Sequence, residues 1–351
     1  GGLMAYSTIS KPGLHFNTIT YTGNGSTQAL TGVGFQPDWV WLKSRSVAKD
    51  HMVFDVVRGV QKSIRPNATT AEDNSSEYLT TFGTDGFTLG GNGKTNGNGT
   101  TFAAWNWKAG NSQGTSNTDG TINTTYTSVN STAKFSISTY TGTGSAATFG
   151  HGLGVAPTFC LHKELNSTGP WFVCNVARTG DTGYMYLDQD ITGSTSGQNF
   201  YTARPTSSLI NLGTDPDINQ SGQTYVAYCF AEVQGFSKFG TYTSNGNADG
   251  PFIFTGFKPA WVMVKNVSST SAWMLYDNKR DPANANTKSL MPNLNNAEDV
   301  NAENVDFLSN GFKCRGTGVK LNNSTNQFAY FAFAAEPLIA NVGNGIPATA
   351  V

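Results

Sequence analysis

The sequence predicts an all-β protein built as three tandem antiparallel β-sandwich or jelly-roll-like repeats of about 100 residues each. Three observations point there. A set of β landmarks recurs three times in one order with near-constant spacing. No window of 15 residues carries a 3.6-residue apolar period. The composition is glycine-rich and charge-poor, with 40 glycines in 351 residues and 13% charged residues, about half the usual charged share. Aromatic residues make up 12%, which is too many for a disordered chain.

Each repeat opens with Tyr-Thr and a glycine turn: Tyr21-Thr22-Gly23, Tyr140-Thr141-Gly142 and Tyr242-Thr243-Ser244-Asn245-Gly246. Gly-x-x-Pro and an apolar run ending in lysine come next. These are Gly34 to Lys43, Gly154 to Lys163 and Gly256 to Lys265. Proline fixes φ and donates nothing to a ladder, so it ends a loop, and the Trp/Val/Phe/Met run after it suits a buried pleat. A second strand follows at Met52–Asp55, Trp171–Cys174 and Trp273–Tyr276. An aromatic closing strand ends each repeat, at Phe102–Trp107, Tyr225–Phe230 and Phe328–Phe333. From the opening tyrosine to the matched aromatic (Trp105, Tyr228, Phe331) is 84, 88 and 89 residues. In the third repeat the closing strand Phe328–Phe333 reads as covered on both faces. Asp85-Gly86 and Asn310-Gly311 are type I′ hairpin signals, and Ser207-Ser208 predicts a different turn in the middle repeat. Short helical turns are expected near Val56–Lys62 and Ala297–Asn304.

The expected division is repeat one over 1–110, a Gly/Ser/Thr/Asn-rich linker over 111–133 and repeat two over 134–236, then repeat three over 237–338 and a tail over 339–351. Ile122 and Tyr126 suggest that the linker is partly pinned, and Met4 reads as a natural start. Short joints suit an extended appendage of rigid units. The alternative is that each repeat is one blade or layer of a closed assembly.

Charge and motifs exclude several classes. Twenty-two Lys+Arg against 23 Asp+Glu leaves no basic face for nucleic acid. No apolar run approaches the roughly 20 residues of a membrane span, and no leader pattern opens the chain. The cysteines Cys160, Cys174, Cys229 and Cys314 form no CxxC pair. Four buried thiols is the plain reading, and a Cys160–Cys174 bridge between neighbouring strands stays open. Of His15, His51, His151 and His162, no two share metal-ligand spacing, and His151 in its glycine-rich loop is the one expected to be exposed. Gly193-Ser194-Thr195-Ser196-Gly197 lacks the strand–turn–helix of a nucleophile elbow. Asp215-Pro216-Asp217-Ile218-Asn219 alternates oxygen ligands but departs from a calcium loop at Gln220 and Val226, so it reads as a turn. Gly90 to Thr95 lacks phosphate-loop spacing. All seven tryptophans fall on repeated strands, where core packing is the expectation. No catalytic, cofactor-binding or metal residue is assigned, no cofactor is expected, and the ligand-binding residues stay unknown.

Several strings carry a resemblance: Phe35 to Lys43, Val56-Val57-Arg58-Gly59, Trp105 to Gly110, Tyr225 to Val233, and Asp306 to Lys313. Together they resemble a largely uncharacterised family abundant in marine tailed bacteriophages, over roughly Phe16 to Leu338. Members are taken for virion structural proteins, often tail-fibre-like or at the virion surface. The resemblance implies a non-enzymatic protein of the tail or capsid exterior, assembled in the host cytoplasm and then exposed outside the cell. Its implied partners are other virion proteins, further copies of itself as a homo-oligomer, and a host-surface glycan, with no nucleic acid and no membrane insertion. A purely architectural decoration role and a glycan-cleaving tailspike are the alternatives, and the latter needs two carboxylates converging in a pocket.

Overall fold

The computed structural model describes residues 7–179, 183–194 and 199–337. Met4 and the 339–351 tail lie outside the described residues, as does part of the Gly193–Gly197 run. The protein is all-β, with several antiparallel sheets.

The same strand order recurs three times. In unit one, Phe16–Thr22, Thr101–Trp107, Trp39–Ser44 and Met52–Asp55 lie side by side in that order. Unit two repeats it with Phe135–Thr141, Thr224–Phe230, Phe159–Glu164 and Trp171–Asn175. Unit three repeats it with Ser237–Thr243, Gln327–Pro337, Phe257–Asn266 and Met274–Asp277. We call these the opening, closing, lysine and second strands. A smaller sheet covers the outer face of each main sheet. Its outer-edge strand is Gln28–Thr31, Ala147–Gly150 or Asp249–Phe254.

The lysine strands show why two covers are needed. All six residues of Trp39–Ser44 are buried. Val40 and Leu42 pack outward with Leu30, Phe87 and Leu89 of the small sheet. Trp39 and Trp41 point the other way, into a core shared by all three units. The inner faces meet there in a ring of aromatic contacts. Trp39 stacks on Tyr228 of unit two at 4.8 Å. Phe159 of unit two lies 4.3 Å from Phe331 of unit three. Trp261 of unit three meets Trp107 of unit one at 5.7 Å. Strands apolar on both faces must be covered on both, and here the sister units supply the inner cover. The units therefore close around one core rather than string out as an extended appendage.

Local expectations fare unevenly. Tyr126–Asn130, inside the expected 111–133 linker, pairs with the opening strand of unit two, and Ile122 is buried. Ala297–Asn304 is mostly strand (Asp299–Leu308) rather than helical turn, and Val56–Arg58 forms a turn. The short helices lie at Gly93–Asn96, Val176–Thr179 and Pro216–Asn219. The two hairpins exist, but their connecting residues are Thr84-Asp85 and Ser309-Asn310, with the glycine already in the next strand. Neither pair takes the positive φ of a type I′ turn. Gly86 and Gly311 are required because a Cβ there would overlap Leu30 O and Ile253 O of the outer-edge strands.

Candidate functional site

The buried lysines and arginines lie on the three seams between units. The next-to-last residue of each lysine strand is a fully buried lysine whose Nζ reaches a carbonyl of the preceding unit in the ring. Lys163 donates to Thr69 O of unit one (3.2 Å), and to Glu164 O and Gly169 O (both 2.9 Å). Lys265 donates to Asp190 O of unit two (2.8 Å) and to Ser271 O. Lys43 donates to Ser44 O (2.8 Å) and Asn295 O of unit three (3.4 Å). A second donor sits four residues before Asp55, Asn175 and Asp277. Trp171 Nε1 donates to Arg65 O of unit one (2.8 Å), and Trp273 Nε1 to Tyr186 O of unit two (2.9 Å). In unit one that place holds His51. Its Nδ1 accepts from Trp41 Nε1 (2.9 Å), so the proton sits on Nε2, which faces Met291 O of unit three at 3.1 Å.

Burial pulls Lys43 down to about 7, and Lys163 and Lys265 to about 8, from the ordinary 10.5. At these lysines the unfolded chain then binds more protons than the folded one from about pH 8 to about pH 10, and their contribution makes stability rise with pH up to about pH 9. The thermal midpoint is expected to be higher at about pH 9 than at about pH 7, by the equivalent of at least about 1 kcal/mol, with a smaller rise in Lys163→Met. Above about pH 9 an opposite contribution grows and then reverses the trend, because burial raises Cys160, Cys314 and tyrosines such as Tyr140 and Tyr242 in the fold and only the unfolded thiols and phenols ionise. A midpoint that stays flat or falls between these two pH values contradicts the assignment.

Two seams also carry a buried ion cluster. Arg58 Nε meets Asp55 Oδ2 at 2.5 Å, with Glu72 on its Nη1 at 3.0 Å, and Tyr228 OH of unit two donates to Asp55 Oδ2 (2.6 Å). Arg280 repeats this with Asp277 (2.5 Å) and Glu298 (3.0 Å), and Trp105 Nε1 of unit one donates to Asp277 Oδ2 (2.9 Å). Arg45 of unit one grips Glu298 of unit three with two bonds of 2.9 Å. In unit two Asn175 takes the aspartate's place, and Phe331, which has no donor, takes that of Tyr228 and Trp105.

One repeated device escaped the sequence reading. Asn96, Asn219 and Asn322 each lie nine residues before the matched aromatic and are fully buried. Their Oδ1 accepts from Asn24, Thr143 and Asn245 N–H, and their Nδ2 holds turn carbonyls such as Gly90 O, Gly213 O and Gly316 O. The opening tyrosines donate to the residue just before: Tyr21 to Thr95 O, Tyr140 to Ile218 O, Tyr242 to Leu321 O. The spacing of nine was the available signal.

The other sequence candidates resolve as structural. His151, expected exposed, is fully buried, with Nε2 facing Thr206 O and Nδ1 accepting from Leu153 N–H. His162 lies between Tyr140 and Tyr201 hydroxyls, and burial holds it at about 3. His15 is partly exposed beside Asn130. Cys160 and Cys174 sit opposite each other in register, yet all four cysteines are buried thiols without a bridge. Asp215 caps the helix Pro216–Asn219 by accepting from Asp217 N–H, and Asp217 accepts from Tyr186 OH. Among the described residues, no group of three or more His, Cys, Asp or Glu has the geometry to hold a metal ion. All seven tryptophans are buried.

The exposed aromatics among the described residues are Tyr126 (37%), Phe252 (44%) and Phe254 (57%). Tyr126 lines a groove of about 290 Å³ at the seam of units one and two. Lys62, Glu72, Gln113, Thr139 and Asn166 also line it. Gln113 Nε2 donates to Val57 O across the seam, and Glu72 is held by Arg58 and Lys62. A pocket of about 540 Å³ in unit three is lined by Lys258, Asn278, Asp281 and Asn310. There Asp281 is occupied by Thr287 N–H and Oγ1–H, and Asn284 by the backbone of Phe307.

The chain belongs to a family described as a domain of unknown function (DUF7483), whose model matches residues 11–337. No curated protein and no solved structure matches it.

Proposed function

Starting from membership of a family whose description names no activity, we propose that the chain is a non-enzymatic component of the exterior of a tailed-phage virion, and that it contacts a host-surface glycan. The observation that carries the glycan contact is Tyr126. It is an exposed residue lining a groove of amide, hydroxyl and charged side chains, on a scaffold that otherwise covers its large aromatics apart from Phe252 and Phe254 among the described residues. A flat apolar ring beside planar polar groups is the chemistry that recognises a sugar. Glu72 is the one carboxylate among the groove's described lining residues, and two cations already neutralise it. Hydrolysis needs a second carboxylate facing the first, so the groove supports binding rather than cleavage. Recognition by stacking and hydrogen bonds also tolerates seawater salt, which screens charge beyond several ångströms.

The test is a titration of the full chain with host capsular and lipopolysaccharide-type oligosaccharides. Wild type should bind one of them, and Tyr126→Ala should weaken it about tenfold or more, the loss of about 1.4 kcal/mol of stacking. The variant should keep the wild-type melting point. Silence against every host polysaccharide, or equal binding by the variant, removes the proposal.

A further inference from the structure

The outer-edge strands of units two and three differ in what covers their open side. In unit two, the chain's own segment does so. Ile122 makes a parallel bridge to Phe149, and its N–H donates to Thr148 O at 2.8 Å. Thr121 N–H donates to Thr148 Oγ1 at 3.0 Å, and Thr121 Oγ1 accepts from Thr148 N–H at 2.9 Å. Unit three has the same strand in the same register. His151 N–H bonds Ser208 O (3.2 Å) three residues past Thr148, and Thr255 N–H bonds Asn310 O (3.0 Å) three residues past Phe252. Alternate residues of an antiparallel strand face the partner strand, so Phe252 and Phe254 turn their N–H and C=O groups outward, as Thr148 does. No described residue covers that edge.

The side chains break the symmetry too. Phe252 and Phe254 stand where unit one has Ala29 and Thr31 and unit two has Thr148 and Gly150. Two units form the strand without these rings, so the fold does not need them. An open strand edge flanked by exposed apolar residues is a template for another strand.

We infer that the outer-edge strand Asp249–Phe254 is a docking site for an extended segment of a partner polypeptide. The segment adds in parallel, its backbone bonding at Phe252 and Phe254, with an aliphatic residue paired to Ile253 as Ile122 is paired to Phe149 on unit two. Backbone bonds give the affinity; the aliphatic side chain packs on the buried face beside Ile253, and the two rings pack against the residues on either side of it on the outer face. The glycan contact at Tyr126 is a separate site.

The probe is a synthetic peptide copying residues 118–124 (Thr-Asp-Gly-Thr-Ile-Asn-Thr), which cover the unit-two edge. Amide hydrogen exchange is read on the full chain. At saturating peptide the Phe252 and Phe254 amides should slow about fivefold or more. A peptide with aspartate in place of its isoleucine should leave them unchanged. Phe252→Ala with Phe254→Thr, which copies unit one, should keep the melting point and weaken the peptide about tenfold. Tyr126→Ala should leave peptide binding intact, which separates this site from the glycan site. Three results overturn the inference: no protection at these amides; a concentration-dependent dimer that the double variant abolishes, making the occupant a second copy; or protection by an oligosaccharide and not by the peptide.

Discussion

Phe333→Ala is expected to destabilise all three units together, by about 3–5 kcal/mol. Phe333 is buried at 2% exposure, on the inner face of the unit-three closing strand. Its ring lies 5.2 Å from Phe16 and 5.6 Å from Trp107 of unit one, 5.7 Å from Phe230 of unit two, and 5.8 Å from Trp261 of its own unit. Truncation removes contacts from all three sheets and leaves a cavity that rigid sheets fill poorly.

Urea unfolding followed by tryptophan fluorescence and by far-UV circular dichroism checks this. The tryptophans report on the shared core, and circular dichroism on all the sheets. Both probes should trace one coincident transition in wild type, and one transition at lower urea in the variant. Phe254→Ala, at an exposed position, should shift the midpoint by no more than about 0.5 kcal/mol. Two or three separate transitions, with only one moved by Phe333→Ala, would show units that fold as independent beads.

How the units associate was the part of the fold hardest to read from the sequence. Strand identity was legible because each landmark carries local chemistry: proline before the lysine strand, β-branched and aromatic runs within it, a tyrosine at each opening. The double-sided burial of the closing strand Phe328–Phe333 was legible as well. A run without polar alternation says that both faces are covered, but not what covers them. Nothing local distinguishes a sandwich that meets its neighbours from one that stands alone. The lysines held the missing information. Lys43, Lys163 and Lys265 end apolar runs, where a charge is costly unless several acceptors converge on it. One acceptor of each lysine lies on another unit, 94 residues away for Lys163 and Thr69 and 252 for Lys43 and Asn295. His151 misled because a glycine-rich flank usually marks an exposed loop, whereas here Gly150 and Gly152 let the chain pack closely against Asn117 and Val129. The candidate groove was not legible, since Tyr126 meets Lys62 and Glu72 only after the seam has closed.

The second large effect falls on a seam. Asp277→Ala should cost about 3–5 kcal/mol, because it leaves a buried cation short of its partner. Arg280 has no side-chain exposure. Without Asp277 it keeps Glu298 at 3.0 Å and Leu275 O at 3.0 Å but loses the bond from Nε. Trp105 Nε1 of unit one loses its acceptor, and the backbone N–H groups of Lys279 and Arg280 lose the Oδ1 that accepts them at 3.0 and 2.8 Å. The unit-two seam suggests how the cost divides. There asparagine replaces the aspartate, and the facing aromatic has no donor, so the two features change together. A double-mutant cycle with Asp277→Asn and Trp105→Phe should therefore show a coupling of about 1–2 kcal/mol, with the pair destabilising less than the sum of the single changes. Strict additivity, or an Asp277→Ala variant within about 1 kcal/mol of wild type, would mean that the aspartate is held by its own loop and does not tie unit one to unit three.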